Sequence, residues 1–424
     1  MSLSLHDTTH DITHDIAHGT AHEAAHATAH RTAPEPAHKT LPGAATALLE
    51  AYRPATDRFL ATPHRTLLGR GTAATVPHDS RPAAARVREV LDGLRRPGAP
   101  APVVVGALPF APDAPPALAV PDTVRWAPPL REDPLIALPV PHDGQRPEWA
   151  VREVPAPERY GEAVAAAVAR MRAGEFDKVV LARTLELTSP HEPDLPAMLR
   201  RLARRDPAGY TFAVPSGPGR TLIGASPELL VARQGGRLTA NPLAGSAPRS
   251  TDLAEDVRRA VALLESEKDL HEHAVVVAAV REALAPFCAS LEVPERPTLV
   301  RTAAMWHLST TVTGEIADPG VTALDLASAL HPTPAVCGTP TEVARAVIAE
   351  SEPFDRGAYT GMVGWQDADG DGEWVVTIRC AEAEGRALRL FAGAGVVAAS
   401  TPQAETAETA AKFRTFLHAV GASL

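Results

Sequence analysis

At 424 residues, with 45% apolar and 22% charged side chains, the chain can bury one large core or two ordinary ones. A formal net charge of −10, without a basic patch interleaved with aromatics, argues against nucleic acid as the main partner. No apolar run approaches the ~18–20 residues of a membrane span, the start lacks a secretory signal's basic and apolar regions, and the three scattered cysteines (Cys288, Cys337, Cys380) fit reduced thiols in a cytoplasm.

In chain order, residues 1–40 hold a His-rich repeat, with His6, His10, His14, His18, His22, His26 and His30 four apart and His38 beyond. We read it as a disordered tail outside the fold. The alternative is a metal-binding stripe for zinc, nickel or copper. Residues 41–155 are rich in Ala, Pro and Arg. They predict two short amphipathic helices (LPGAATALLEAYR, PAAARVREVLDGLRR) and a buried strand (APVVVGALPF). Over 111–157 the Pro-dense run predicts an extended connection with edge strands at most. Residues 41–155 read as the variable N-terminal part of one domain, and 156–424 as its motif-bearing core.

Residues 160–175 predict a helix capped at Gly174, and DKVVLARTLEL a strand with Lys178 at its mouth. A helix over 194–205 leads into strands TFAVPSG and TLIGASPELLVARQGGRLTANPLAGSA, where Gly235 and Gly236 mark a tight hairpin. Asp252 with Glu255 reads as a capping box opening a long helix to about residue 285. Strands around 299–315, a helix, the HPTPAVCG turn and another helix follow. The hairpin GMVGWQDADGDGEWVVTIRC and the strand RALRLFAGAGVV then precede a final helix. Meanders flanked by helices predict an α+β fold with mostly antiparallel sheets.

Only four of the 41 basic residues are lysines: Lys39, Lys178, Lys268 and Lys412. In so Arg-biased a chain a retained lysine suggests a task arginine cannot do, such as losing a proton; Lys39, in the tail, carries no such weight. Glu228 enters an apolar strand region in ASPELL, where a carboxyl must be paired or protonated, and a protonated one can act as a general acid. In ESEKDLHEH, helical spacing puts Glu265, Lys268, Asp269 and Glu272 on one face. The final helix does the same for Glu405, Glu408 and Lys412. Each face reads alone as solvated charge, but two acidic patches on two helices suit an oxygen-ligated Mg²⁺. DADGDG begins like a calcium loop, yet its twelfth position is Ile378 rather than Glu, so it reads as a hairpin turn.

The ordered set FDKVVLARTL, IGASPELLV, NPLAGSAPRS, SEKDLHEH, MWHLST, LHPTPAVCGTP, EPFDRGAYTGMVGW, GEWVVTIRCA and RLFAGAGVVAASTPQAETAETAAKF resembles the chorismate-utilising enzymes, nearest to siderophore-type isochorismate synthases. The resemblance implies one α+β domain whose two large sheets enclose the site, and use of Mg²⁺. It implies Lys178 as general base for water attacking C2 of chorismate and Glu228 as general acid for the departing C4 hydroxyl. It implies Glu272 and Glu408 as metal ligands with Glu405 nearby. Arg379 and Tyr359 match binders of the enolpyruvyl carboxylate, and His307, Gly245, Ser246, Gly393, Gly395 and Lys412 match other pocket positions.

Within that family, Lys178 argues against ammonia-using anthranilate synthases. Ala244 in PLAGS stands where aminodeoxychorismate synthases place a nucleophilic lysine. Ala335 in HPTPA, where salicylate synthases tend to carry Thr, favours stopping at isochorismate, whereas Tyr359 leans toward salicylate synthases. The expectation is an isochorismate synthase of siderophore or other aryl-acid metabolism, monomeric and without a glutaminase subunit. Salicylate synthase is the alternative. A metal-binding protein working through its His repeat is the alternative from another class.

Overall fold

The computed structural model describes residues 42–138 and 148–422. The His-rich repeat lies outside these residues. The described strands form sheets of ten, nine and three strands, and every pairing among them is antiparallel. The predicted α+β class with antiparallel sheets is the observed one.

The two large sheets face each other. Phe212, Val214 and Leu222 of the ten-stranded sheet pack with Val105, Val363 and Val375 of the nine-stranded sheet in a buried core. Helices cover the outer faces. Phe413, Phe416 and Leu417 of the C-terminal helix (Pro402–Val420) and Leu199 of Leu195–Arg205 seal the first sheet. Val87 of Ala83–Leu94 and Leu324 of Ala323–Leu330 seal the second.

Local sequence explains the main elements. VVVGAL (Val103–Leu108), which opens on three β-branched valines, is buried throughout because it lies inside the second sheet, paired with Met362–Asp367 and Ala117–Val120. Gly235 (φ 59°) and Gly236 close the hairpin between Leu229–Gln234 and Arg237–Asn241, as predicted. DADGDG is the turn between Met362–Asp367 and Gly372–Val376, where the Asp367 carboxylate accepts from the Asp369 and Asp371 amides.

Two expectations need correction. The 111–157 stretch holds more than edge strands, since Ala117–Val120 pairs with Val103–Leu108 on one side and Ala74–Thr75 on the other. Its three buried apolar residues give it an interior place. The long helix from Asp252 is two helices, Leu253–Glu265 and Glu267–Leu284, broken at Ser266. Ser266 is extended (φ −72°, ψ 108°) and caps the second helix by accepting from the Asp269 amide. The capping box at the first is half formed: Asp252 accepts from the Glu255 amide, but the Glu255 carboxylate turns to Arg258 and Arg259. No described helix is long and apolar enough to cross a membrane.

Ser266→Ala removes the cap that aims the second helix. We expect a loss of about 1 kcal/mol in unfolding free energy, read from urea titration followed by circular dichroism.

Candidate active site

Two of the chain's crossings between the ten-stranded and the nine-stranded sheet each deliver a charged residue to one cavity. Glu228 lies between Arg220–Ser226 of the first sheet and Leu229–Gln234 of the second. Arg379 lies between Gly372–Val376 of the second and Cys380–Glu384 of the first. The small sheet adds Gly245, Ser246 and His307, and the helix Glu267–Leu284 adds Lys268, Asp269 and Glu272. Gly393 and Gly395 come from Ala387–Val397, and Glu408 and Lys412 from the C-terminal helix.

Lys178 opens the strand Lys178–Thr188 and is 2% exposed. Its Nζ donates to Glu272 Oε1 at 2.8 Å, so it meets the cavity through that carboxylate. The contact needs Gly395, because a Cβ there would sit 2.6 Å from Glu272 Oε1 and 3.2 Å from Lys178 Cε. Burial pushes the Glu272 carboxyl up, but Lys178, Lys412 and Lys268 outweigh it and hold Glu272 below its ordinary range. Glu228 behaves oppositely. Burial dominates and raises it to about 7, against the lowering effect of the Leu243 amide, Arg379, Lys178 and Lys412. A carboxyl that is half protonated near neutrality is suited to proton donation.

Arg379 makes no side-chain hydrogen bond or ion pair among the described residues; burial lowers it, against the raising effect of Tyr359, Glu408 and Glu228. An unpaired guanidinium in a buried cavity is a receptor for an anion. Tyr359 is buried and stacked on Phe391 with ring centroids 4.9 Å apart; burial pushes its phenol up, so it stays neutral. A Cβ at Gly393 would come within 2.8 Å of the Tyr359 hydroxyl. Lys412 Nζ donates to the Gly393 carbonyl at 2.7 Å and lies 2.6 Å from Glu408. Ser246 Oγ meets His307 Nδ1 at 2.8 Å, and His307 Nε2 is buried without a partner among the described residues. Burial, Arg379 and Lys412 hold that imidazole well below its ordinary range, hence neutral.

Glu405 does not line the cavity. It is 1% exposed, its Oε1 has no hydrogen bond among the described residues, and Lys268 stands 3.5 Å away. Burial and Glu408 raise it. Among the described residues no three His, Cys, Asp or Glu side chains form a ready metal cluster, since Glu272 and Glu408 each turn to a lysine. The donor set still suits a hard cation: carboxylates from two helices, one of them with an unsatisfied buried oxygen.

Of the sequence-predicted residues, Glu228, Arg379, Tyr359, His307, Gly245, Ser246, Ala335, Gly393, Gly395, Lys412, Glu272 and Glu408 line this cavity. Lys178 adjoins it through Glu272, and Glu405 lies behind it. Glu265 leaves the face assigned to it, because Ser266 ends its helix. Val180, Pro227, Leu243, Val336, Thr360 and Ile378 also line the cavity and were missed. Thr360 sits at φ 57°, a conformation that threonine in sequence does not announce.

A family model described as chorismate binding enzyme matches residues 137–421. Isochorismate synthase DhbC of Bacillus subtilis is 52% identical over 392 residues, covering 89% of this chain and 96% of its own. The vibriobactin-specific isochorismate synthase of Vibrio cholerae is 42% identical over 376 residues, covering 86% and 92%. A crystal structure described as the 2,3-dihydroxybenzoate-specific isochorismate synthase DhbC of Bacillus anthracis superposes with a TM-score of 0.83 at 47% identity, covering 89% of this chain and 100% of that one.

Gly395→Ala tests the close approach at Lys178. Its added methyl is expected to part Lys178 from Glu272 and lower turnover by about 100-fold, with the far-ultraviolet circular dichroism unchanged.

Proposed function

Because the chain belongs to the family of chorismate-binding enzymes, we propose that it is an isochorismate synthase, converting chorismate to isochorismate by adding water at C2 and releasing the C4 hydroxyl as water. The observation that carries this reading is the pairing of an unmatched Arg379 with a near-neutral Glu228 in one buried cavity, a carboxylate receptor beside a proton donor.

In this reading Arg379 and Tyr359 bind the enolpyruvyl carboxylate. Glu228 protonates the departing C4 hydroxyl. Lys178 takes the proton of the attacking water, for which the Lys178 side of the resting pair with Glu272 must first give up a proton. Gly245, Ser246, His307, Ala335, Gly393 and Lys412 shape the cavity around the ring. Glu272, Glu405 and Glu408 would hold Mg²⁺. When bound, that ion supplies positive charge to neutralise and fix the ring carboxylate.

The relatives' printed specificities, for 2,3-dihydroxybenzoate and vibriobactin, support a place in siderophore aryl-acid metabolism. Water as the nucleophile removes any need for a glutaminase subunit. We further assign a cytoplasmic monomer with residues 41–424 as its catalytic domain and the His repeat outside catalysis.

Chromatography of chorismate incubated with the protein and Mg²⁺ is expected to show isochorismate as the main early product. Salicylate and pyruvate in its place would move the assignment to salicylate synthase. Chelation should stop the reaction and added Mg²⁺ restore it, while deletion of residues 1–38 should leave turnover near normal. Glu228→Gln is expected to lower kcat by about 100-fold or more. Since the acid must be protonated, kcat should fall as pH rises through about 7, the value at which Glu228 ionises. A flat profile to alkaline pH would remove Glu228 from that role.

A further inference from the structure

Away from the active cavity, a second cleft of about 500 Å³ is lined by the start of the helix Ala83–Leu94, by residues of the segment 108–116 and by Arg345 of the helix Thr341–Ser351. Leu108, Pro109 and Met362 give it an apolar wall, and Arg81, Arg86 and Arg345 give it positive charge. Two of these arginines are already engaged. Arg81 pairs with Asp79 and Glu89, and Arg86 is buried with its guanidinium on the carbonyls of Pro77 and Arg81.

Arg345 differs. Among the described residues it has no carboxylate within ion-pair distance, and its guanidinium lies 5.1 Å over the Phe110 ring with a 3.4 Å hydrogen bond to the Phe110 carbonyl. His331, which lines the same cleft, packs edge-on to Phe110 at 6.3 Å and has a buried Nε2 without a partner. Burial and Arg345 hold His331 down at about 4, so it adds a polar contact without adding charge.

A guanidinium without a carboxylate partner, in a cleft with one apolar wall, takes a flat ring bearing a carboxylate; of the two carboxylates that also line the cleft, Asp79 is held by Arg81 and Asp113 is the other. We propose that this cleft is a regulatory site for a small aromatic carboxylate, with its ring against Leu108, Pro109 and Met362 and its carboxylate on Arg345. Phe110 carries the effect inward. Arg356 also lies over that ring, 4.7 Å from its centroid. Arg356 donates to the Val336 and Val180 carbonyls and to Thr360 Oγ1, and all three of those residues line the active cavity. A ligand that draws Arg345 off Phe110 therefore acts on a side chain that touches Arg356 directly.

Calorimetric titration of the full chain with benzoate, and with benzyl alcohol as the uncharged control, reads the site without turnover. Failure of the isochorismate assignment would therefore leave this arm intact. The expected result is saturable benzoate binding with none for benzyl alcohol. Affinity should fall about tenfold in Arg345→Gln and less in Arg345→Lys, which keeps the charge without the fork. Binding should persist in Glu228→Gln saturated with chorismate. In the wild type benzoate should change the rate of chorismate consumption in a way excess chorismate does not overcome, whereas the rate of Arg345→Gln, whatever its basal value, should not respond to benzoate. Absence of binding, equal binding by Arg345→Gln, displacement by chorismate, or binding without any change in rate would each overturn the proposal.

Discussion

The buried ion pair of Lys178 and Glu272 is the contact on which the site's geometry depends. A pair 2.8 Å apart with little access to water is stable only when each charge keeps its partner, because removing one strands the other at a cost of about 3–5 kcal/mol. The pair forms across three separate elements: a strand, a helix and the gap left by a glycine. Register sets the gap. Gly395 stands opposite Val180, two residues along from Lys178, so the missing Cβ falls where Glu272 reaches over the sheet. Any side chain at that position would separate the amine from its carboxylate before any ligand arrived.

Two glutamates of comparable burial are driven to opposite states by what stands beside them. Glu272 receives a direct hydrogen bond from an ammonium and is held ionised. Glu228 has only the Leu243 amide at 3.3 Å, with its cations farther off, and burial raises it to about 7. One cavity thus keeps a permanent anion at one wall and a dischargeable proton at another, which is the separation that acid–base chemistry on one substrate requires.

The strands and helices that carry these groups were legible in the sequence, because hydrophobic period and glycine punctuation report local preference directly. Lys178 and Lys412 stood out for a chemical reason, as lysines kept in an arginine-rich chain, and both lie at the site. What could not be read was conformation imposed from a distance. Ser266 is an ordinary helix residue by spacing, and only its extended backbone separates Glu265 from the charged face that holds Lys268 and Glu272. Ala117–Val120 looked like an edge because proline surrounds it, yet it gains a partner on each side from strands far away in sequence. The Lys178–Glu272 pairing was also hidden, since helical spacing placed Glu272 with its neighbours on one face and said nothing of Lys178, 94 residues earlier.

Arg356 explains how the walls stay in register. Fully enclosed and paired with Glu352, it donates to the carbonyls of Val180 and Val336 and to Thr360 Oγ1, while Glu352 accepts from the Ala182 amide. One buried ion pair thereby ties the lysine strand, the HPTPAVCG turn and the Tyr359–Thr360 loop together. Thr360 and Arg379 both hold positive φ, 57° and 51°, which a side chain adopts only when its surroundings compel it. Thr360 is compelled by Arg356 through its hydroxyl and by its amide's bond to the Thr377 carbonyl, two residues before Arg379. The strained backbone that presents the Arg379 guanidinium to the cavity is thus braced by a second arginine that does not line it, so the charge at the cavity and the charge that builds its wall are separate residues.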